Sequence, residues 1–355
     1  MASHQRTSTL AVAALFALGG SACDGDQTAT QTTRTSGEDL AACGDVGASP
    51  EVLAAPSAGA PAAVDDDLLI AGSQIFWRSS LGWTPEAEIE LPEGTCCRAA
   101  ALSGDTAIVV ARLEGAWSGG PAFVLERERG AWTAIPVSPG YISRSVAISG
   151  DLAAVGCHGG GAALGCAPPF GTVGIYERMG GAWTQTGLVQ SDTEQCLFGE
   201  SIALSGDTLL VGEAPRAHAY VRDGASWVRQ GVLEAPGSDG HVALSGNVAV
   251  VGRRPMYVFQ RVDGTWQHTA ELRTALPEAC TWVALRGGCL AAGAALDDAP
   301  GRVELFEWSL SGWGAAGVLT SGATEADGFG TTVSLTQGWL VVGGHDAAWA
   351  YPLGP

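Results

Sequence analysis

The sequence predicts an all-β fold, a seven-bladed β-propeller of four-stranded antiparallel blades closed by an N-terminal strand in the last blade. One short pattern recurs seven times in the 355 residues: an apolar pair, a tight polar turn, and an apolar run that ends on glycine. The turns lie 38, 46, 56, 40, 41 and 50 residues apart. These spacings average about 45 residues, which is the length of a four-stranded propeller blade.

The recurrent turn joins the first two strands of each blade, which we call A and B. Glycine tolerates the positive φ of a tight hairpin, and aspartate or asparagine accepts turn geometry. The alternating apolar and small residues on both sides are typical of antiparallel strands. Glycine follows six positions after the turn in every copy except the second, which has Val110. The turn residues are Asp66, Gly104, Gly150, Gly206, Gly246, Gly287 and Gln337.

A second pattern, an arginine five residues before a tryptophan, marks the next two strands, C and D. The arginine is expected on strand C and the tryptophan on strand D, with a short turn between them. A guanidinium can stack on an indole across such a turn, so we assign these pairs to blade architecture and not to ligand binding. The pairs are Arg78–Trp83, Arg127–Trp132, Arg178–Trp183, Arg222–Trp227 and Arg261–Trp266, and Trp308 replaces the arginine before Trp313 in the sixth copy.

The seventh copy ends after a strand C, so its strand D must come from elsewhere in the chain. Residues 50–55 align without gaps on strand D of the fourth copy, which places Leu53 on Leu233. This segment is predicted to pair with residues 348–353 and to close the ring. Closure of this kind removes the two exposed sheet edges that an open array would leave.

The pairs Phe198-Gly199 and Phe329-Gly330, each leading into a strand A, give the chain a resemblance to a known family. It resembles bacterial FG-GAP repeats, the integrin α-like β-propeller units, over residues 51–355. Cys96-Cys97 and Ala279-Cys280 replace the Phe-Gly pair in two copies. Kelch-type propellers are the alternative at the level of the fold, but of the seven copies only the last has a Gly-Gly doublet after its apolar run, at Gly343-Gly344.

The resemblance also bears on cofactors. Integrin-type repeats often carry a Ca²⁺ loop of alternating aspartates that ends in glycine, because hard oxygen ligands must converge from one short loop. Neither residues 191–199 nor residues 324–330 have that spacing. Calcium is therefore implied by the resemblance alone, and no cofactor is predicted.

The chain divides into a targeting segment at residues 1–23, a flexible tether at residues 24–49, and the propeller at residues 50–355. Arg6 precedes an apolar stretch that is too short to be a permanent membrane span. Gly20-Ser21-Ala22-Cys23 resembles a bacterial lipobox, which would make Cys23 the lipidated N-terminus of a cell-envelope lipoprotein. Cleavage after Ala22 by an ordinary signal peptidase is the alternative, and it would give a secreted protein.

The cysteines indicate an oxidising compartment, since eight remain when Cys23 is set aside. Loops joining D to A and B to C leave one face of a propeller, which we call the upper face, and the A–B and C–D turns leave the lower face. Cys157 and Cys166 flank a glycine-rich B–C loop and are predicted to form a disulfide. A metal site here would need a second ligand pair at zinc spacing, so none is predicted. Cys96, Cys97, Cys196 and Cys280 also belong to the upper face, and Cys43 and Cys289 belong to the lower face.

The charge pattern is unusual, with 18 arginines, no lysine and a formal net charge of −19. A field of that sign repels phosphate backbones and excludes nucleic-acid binding. Arginines in or beside the upper-face loops are candidates for binding a carboxylate or an acidic glycan through bidentate hydrogen bonds. The alternative is that loops are simply where charges are tolerated. The candidate binding residues are Arg98, Arg112, Arg144, Arg216, Arg253 and Arg254.

No catalytic constellation is predicted, because the six histidines are scattered over different blades and no HExxH, GxSxG or Walker motif is present. The preferred interpretation is a noncatalytic cell-envelope or secreted binding or adhesion propeller that recognises a protein or polysaccharide. The alternative is a secreted hydrolase or lyase that acts on a glycan or small ligand at the upper face. A monomer is expected, with membrane contact only through a lipid on Cys23.

Overall fold

The predicted fold class is confirmed. The described residues form 28 strands in seven four-stranded antiparallel sheets. Among them no helix has the length and apolarity that a membrane crossing requires. The structure is a computed structural model that describes residues 43, 46, 49–54, 62–113, 119–138, 143–157, 171–192, 197–274, 281–296 and 298–354.

Each sheet is one blade, with strands A to D in chain order. Blade 1 contains β2 (Ala62–Asp65), β3 (Leu68–Ala71), β4 (Gln74–Ser79) and β5 (Gly82–Glu88). Blade 2 contains β6 (Thr95–Ser103), β7 (Thr106–Leu113), β8 (Ala122–Glu128) and β9 (Ala131–Pro136). Blade 3 contains β10 (Ser145–Ser149), β11 (Leu152–Cys157), β12 (Thr172–Met179) and β13 (Ala182–Gln190). Blade 4 contains β14 (Ile202–Ser205), β15 (Thr208–Glu213), β16 (Arg216–Asp223) and β17 (Ser226–Glu234).

The remaining blades follow the same order, except that the last one takes its strand D from the start of the chain. Blade 5 contains β18 (Val242–Ser245), β19 (Val248–Val251), β20 (Met256–Val262) and β21 (Thr265–Leu272). Blade 6 contains β22 (Thr281–Arg286), β23 (Cys289–Ala294), β24 (Arg302–Ser309) and β25 (Gly312–Thr320). Blade 7 contains β26 (Thr332–Leu335), β27 (Trp339–Gly343), β28 (Ala347–Pro352) and β1 (Glu51–Ala54).

The ring closes as the sequence predicts. Strand β1 pairs antiparallel with β28, and Leu53 lies opposite Ala348. The paired residues are 347–350, so the pairing begins one residue before the predicted segment 348–353 and covers its first half. Leu53 is buried, as is Leu233 at the aligned place in blade 4. Strand A of each blade contacts strand A of both neighbouring blades, so the seven A strands surround the axis without a gap.

The core is divided into seven apolar clusters, each shared by two adjacent blades. Between blades 3 and 4, for example, Phe198, Ile202 and Leu204 pack against Ala154 and Ile175. All five side chains are fully buried. Because every blade needs both neighbours to cover its two faces, the blades depend on one another for stability.

Glycine is needed at two positions of the repeat for different reasons. Gly206 and the turn residues of the first six blades adopt positive φ, +52° at Gly206, as the tight A–B hairpin requires. Gly212, six residues later, lies against the loop that enters the next blade. A Cβ on Gly212 would approach the carbonyl oxygen of Gly240 to 1.9 Å. The second glycine is therefore needed for close packing between blades.

The serine that precedes the turn joins neighbouring blades. The N–H of Gly206 donates to the Ser149 hydroxyl of the preceding blade at 3.0 Å. Four more such bonds link other neighbouring blades. In blade 1 an aspartate occupies the serine position, and Asp65 accepts the N–H of Gly104 at 2.6 Å. Burial, with a smaller contribution from Asp66, raises the pKa of the Asp65 carboxyl to about 6.

We expect Asp65→Ser, which restores the repeat residue, to stabilise the protein at pH 8 by about 2 kcal/mol. A carboxyl whose pKa is raised by folding favours the folded state below the unfolded pKa near 4, and this benefit is lost as the pH rises through 6. The gain should therefore disappear at pH 4. Thermal unfolding at both pH values measures this gain in stability. Asp67→Ser, on the exposed turn that follows Asp65, is the control. An equal, pH-independent effect of both substitutions would contradict the assignment.

The arginine–tryptophan pairs are confirmed as cross-strand neighbours on strands C and D. The expected stacking occurs within only some pairs. The Arg261 guanidinium lies 5.4 Å from the ring centre of its own Trp266. Arg127 lies instead over Trp77 of the neighbouring blade, at 4.7 Å.

Other arginines of these pairs form ion pairs with a glutamate of the neighbouring blade. Arg178 and Trp183 both contact the Glu126 carboxylate of the preceding blade, at 3.1 and 2.7 Å. Arg222 donates to both carboxylate oxygens of Glu177, at 2.8 Å each. The motif therefore joins each of these blades to the one before it.

A disulfide joins the two cysteines assigned to the lower face. Cys43 is bonded to Cys289 at the start of β23, across 246 residues of sequence. Cys43 is buried and belongs to the cluster between blades 6 and 7. The chain is thus anchored to the propeller by Cys43, before the predicted boundary at residue 50.

Candidate functional site

Three of the predicted binding residues come together at the upper ends of the inner strands. Arg98 lies on β6 and Arg144 immediately precedes β10, at equivalent places in adjacent blades. Arg112 lies on β7, opposite Cys96 in the sheet register. Arg98 interacts electrostatically with both other arginines and with Glu200, which occupies the equivalent place in blade 4. We call Arg98, Arg112, Arg144 and Glu200 the arginine cluster.

Local backbone structure explains how the cluster is positioned. The pairing of β6 and β7 shifts register between Cys97 and Ala99, so that Arg98 lies in a β-bulge. Bulges re-aim a side chain at the end of a strand. Glu200 is held by a turn in which its N–H donates to the Leu197 carbonyl oxygen at 3.1 Å. The Arg144 N–H donates to the Gly156 carbonyl oxygen at 2.8 Å.

The cluster is a positive site in a strongly acidic protein. Its three guanidinium groups and one carboxylate carry a net charge of about +2 at neutral pH. Arg98 is only 4% exposed. Burial, and next the charge of Arg144, lower the pKa of Arg98 to about 10, while Glu200 opposes the shift. Arg98 therefore remains charged at pH 7, although its charge is poorly solvated.

Two buried donors of the cluster are unsatisfied. The Nη1 atom of Arg144 lies 3.5 Å from Glu200 Oε1, and the Nη2 atom of Arg112 lies 3.7 Å from the Cys96 sulfur. Among the described residues, the Nε atoms of Arg112 and Arg144 have no hydrogen-bond partner. Buried donors without partners are costly, and a carboxylate that accepted from them would remove that cost.

The other three predicted arginines lie on blades 4 and 5, and none of them belongs to the cluster. Arg216 faces Glu213 and Glu234, at 3.7 and 3.9 Å. Arg253 is buried, and its Nε donates to the Asp239 carboxylate. Arg254 is exposed.

Asp239, a half-buried residue of the loop that enters blade 5, forms a second charged group with Arg253, which sequence reasoning did not identify. Burial raises the pKa of the Asp239 carboxyl, but the charges and hydrogen bonds of His241 and Arg253 lower it well below its usual range. The Arg253 guanidinium lies 5.9 Å from the ring centre of Trp282. Asp239 therefore neutralises the charge of Arg253. Arg253 differs in this respect from the arginines of the cluster, which together carry an excess of positive charge.

Sequence reasoning also missed a buried polar group in blade 4. Glu213 accepts from the Ser191 hydroxyl at 2.5 Å and contacts His218 Nε2 at 2.8 Å. Glu213 and His218 are almost fully buried. The carboxylate lies between the serine and the histidine, whereas in a nucleophilic triad the histidine lies between the other two groups. This arrangement joins β15 to β16 and differs from a nucleophilic triad.

The upper-face loops contain the predicted disulfide and the residues considered for metal binding. Cys157 is disulfide-bonded, while Cys166 lies outside the described residues, so the pairing of Cys157 with Cys166 stays a prediction. Cys96 and Cys97 are free. Within the described ranges, no three His, Cys, Asp or Glu side chains are arranged to hold a metal ion. At residues 324–330, Asp327 accepts the N–H of Phe329 at 3.0 Å, as in a turn, so these residues do not fit a calcium loop.

Solved structures show the same fold at low identity. A putative 6-phosphogluconolactonase from Bacteroides uniformis ATCC 8492 is 15% identical, with a TM-score of 0.55 over 83% of this chain and 88% of that chain. Another from Bacteroides fragilis NCTC 9343 is 12% identical, with a TM-score of 0.53 over 84% and 88%. KlAtg21, in complex with the coiled-coil of AgAtg16, is 13% identical, with a TM-score of 0.58 over 85% and 95%. No family model and no curated protein matches the sequence.

Proposed function

We propose that this protein is a noncatalytic binding propeller of the bacterial cell envelope, which recognises an acidic polysaccharide through the arginine cluster. The observation that carries the proposal is the convergence of Arg98, Arg112 and Arg144 at one end of a chain with net charge −19. Arginine matches the planar geometry of a carboxylate better than lysine does. A partly buried positive site with unsatisfied donors favours a ligand that carries carboxylates.

The attachment of the chain supports a role at the cell surface. Cys43 is bonded to Cys289 beside the A–B turn of blade 6, which places Cys43 at the lower face. A lipid on Cys23 would therefore hold the lower face toward the membrane. The arginine cluster, at the upper face, would then point away from it.

A relationship to FG-GAP repeats is part of the proposal. Phe198 and Phe329 are both fully buried, in the clusters of blades 3–4 and 6–7. Gly199 and Gly330 follow them with φ of +83° and +86°. The Phe-Gly pair therefore has the same structural role in both copies: an apolar anchor followed by a turn that only glycine adopts easily.

The proposal is tested by calorimetric titration with tetragalacturonate. We expect Arg144→Gln to weaken binding at least about tenfold, because a charge-assisted hydrogen bond contributes about 1.5–3 kcal/mol. Binding should also weaken between 50 and 500 mM salt, which screens the partly exposed charges. Arg254→Gln, which makes the same charge change at an exposed upper-face position, should bind as the wild type does. Equal affinities of all three proteins, or cleavage of the oligosaccharide, would contradict the proposal.

A further inference from the structure

Near the lower face, the contact between blades 5 and 6 departs from the contacts between earlier blades. Arg178 of blade 3, for example, pairs with Glu126 of blade 2 at 3.1 Å. In blade 6 the place of that arginine is taken by Trp308, which lies opposite Trp313 in the sheet register. The glutamate is replaced as well, because Gln260 of blade 5 has the same register position in its blade as Glu126 has in blade 2.

A second acidic position has also become neutral. In blade 1, Glu86 is the extra residue of the bulge in strand D, and it forms an ion pair with Arg127 of blade 2. Thr269 is the extra residue of the same bulge in blade 5. At these positions blades 5 and 6 therefore meet without the arginine and the two glutamates that join other blades.

The replaced residues lie together around one shallow depression on the outer surface. Both indoles are half-buried, and their ring centres lie 5.9 Å apart in an edge-to-face arrangement. The depression is open and too small to enclose a ligand, so a bound group would lie against the indole rings. Its described lining residues, none of which is charged, are Val248, Val258, Gln260, Thr269, Trp308 and Trp313.

These groups suit a ligand that has an apolar face and uncharged polar edges. The face of an indole is apolar, while its N–H is a hydrogen-bond donor. Gln260 offers an amide, and the Thr269 hydroxyl, which donates to the Val258 carbonyl oxygen at 3.2 Å, still has an oxygen that accepts. A pyranose with equatorial hydroxyls has C–H groups on its faces and hydroxyls around its edge. An organic cation would find no carboxylate among the lining residues.

We propose that this depression is a second binding site, which holds one pyranose unit of a neutral β-1,4-linked glucan. The ring stacks on an indole, and its hydroxyls bond to the Gln260 amide and the Thr269 hydroxyl. An uncharged glycan is not repelled by a protein of net charge −19. The site does not depend on the proposed function, because the arginine cluster lies at the upper face of blades 2–4.

Calorimetric titration with cellotetraose tests the proposal. We expect Trp308→Arg, which restores the repeat residue, to weaken binding at least about tenfold, since one wall of the aromatic site is lost. The thermal stability of this variant should stay close to that of the wild type. If Trp308→Arg folds poorly, the double variant Trp308→Arg/Gln260→Glu supplies the arginine with the carboxylate that Arg178 has. This double variant should bind cellotetraose as weakly.

A matched control is the equivalent tryptophan on strand D of blade 5. Trp266 is half-buried like Trp313, but the Arg261 guanidinium lies 5.4 Å from its ring centre. Trp313→Phe should therefore weaken cellotetraose binding, whereas Trp266→Phe should leave it unchanged. Raising the salt from 50 to 500 mM should also have no effect, because the ligand is uncharged.

The outcomes separate this site from the arginine cluster. Arg144→Gln should leave cellotetraose binding unchanged, and Trp308→Arg should leave tetragalacturonate binding unchanged. Failure of the wild type to bind cellotetraose, or equal effects of Trp313→Phe and Trp266→Phe, would overturn the proposal whether or not tetragalacturonate binds. Tighter binding of choline than of cellotetraose, abolished by Trp308→Arg, would assign the depression to an organic cation and also overturn it.

Discussion

Removal of strand β1 should destabilise the whole propeller by at least about 4 kcal/mol. Its backbone pairs with β28 over four residues, and its Leu53 belongs to the apolar cluster between blades 7 and 1. Glu51 also pairs with Arg78 of blade 1 at 3.1 Å and accepts the Trp83 N–H at 3.0 Å. The loss would therefore affect two blades and leave β28 as an exposed edge, which favours aggregation.

Chains that begin at residues 43, 50 and 57 separate the contributions. The chain from residue 43 keeps both the disulfide and β1, and it should unfold like the full-length protein. The chain from residue 50 loses only the disulfide and the few residues around it. Chemical denaturation of the three proteins should show a further large loss between the second and third. Unchanged unfolding of the chain from residue 57 would show that β1 does not close the ring.

The second large effect should come from the disulfide between Cys43 and Cys289. A cross-link over 246 residues restricts the unfolded chain strongly, and the loop-entropy account assigns it about 5 kcal/mol. We expect the double variant Cys43→Ser/Cys289→Ser to lose about 3–5 kcal/mol of unfolding free energy. Measured disulfide effects often fall below the value of the loop-entropy account. The expected loss of unfolding free energy therefore extends down to about 3 kcal/mol.

A matched control is available in the same protein. Cys96 is free and only partly buried, so Cys96→Ser should change the unfolding free energy by less than about 1 kcal/mol. Adding a reductant to the wild type should destabilise it at least as much as the double variant, because the reductant also breaks the disulfide of Cys157. Equal stability of the double variant and the wild type would mean that the cross-link does not restrain the unfolded chain.

The fold could be predicted from the sequence because its determinants are local and repeated. The turn at Gly206 and the close-packed Gly212 each serve one purpose in every blade that contains them. Their spacing therefore predicts the number of blades. Closure could also be predicted, because the residues around Leu53 match a strand whose role was already known from blade 4.

Contacts between blades were harder to predict. Strand register places Arg178 opposite Trp183, and the sequence spacing predicts that. The partner of both, Glu126, belongs to another blade, more than fifty residues earlier. No spacing within one repeat indicates such a contact. The glutamate that precedes the arginine in two copies, Glu126 before Arg127 and Glu177 before Arg178, was the available signal.

The candidate site could be predicted only in part. Position relative to the turn assigned all six arginines to the upper face, but it did not distinguish Arg144 from Arg253. The difference lies in their counter-charges: Asp239 neutralises Arg253 directly, whereas Glu200 holds Arg144 loosely. Both acidic residues come from the loop that enters a blade. Their side-chain geometry depends on tertiary packing, which the repeat pattern does not encode.

The central claim, that the arginine cluster is the ligand site, is tested most directly by a crystal structure of the protein with tetragalacturonate. We predict a ligand carboxylate within hydrogen-bonding distance of Arg144 and at least one of Arg98 and Arg112. Ligand bound only at the arginine–tryptophan pairs of the lower perimeter, or to the turns of the lower face, would contradict the claim.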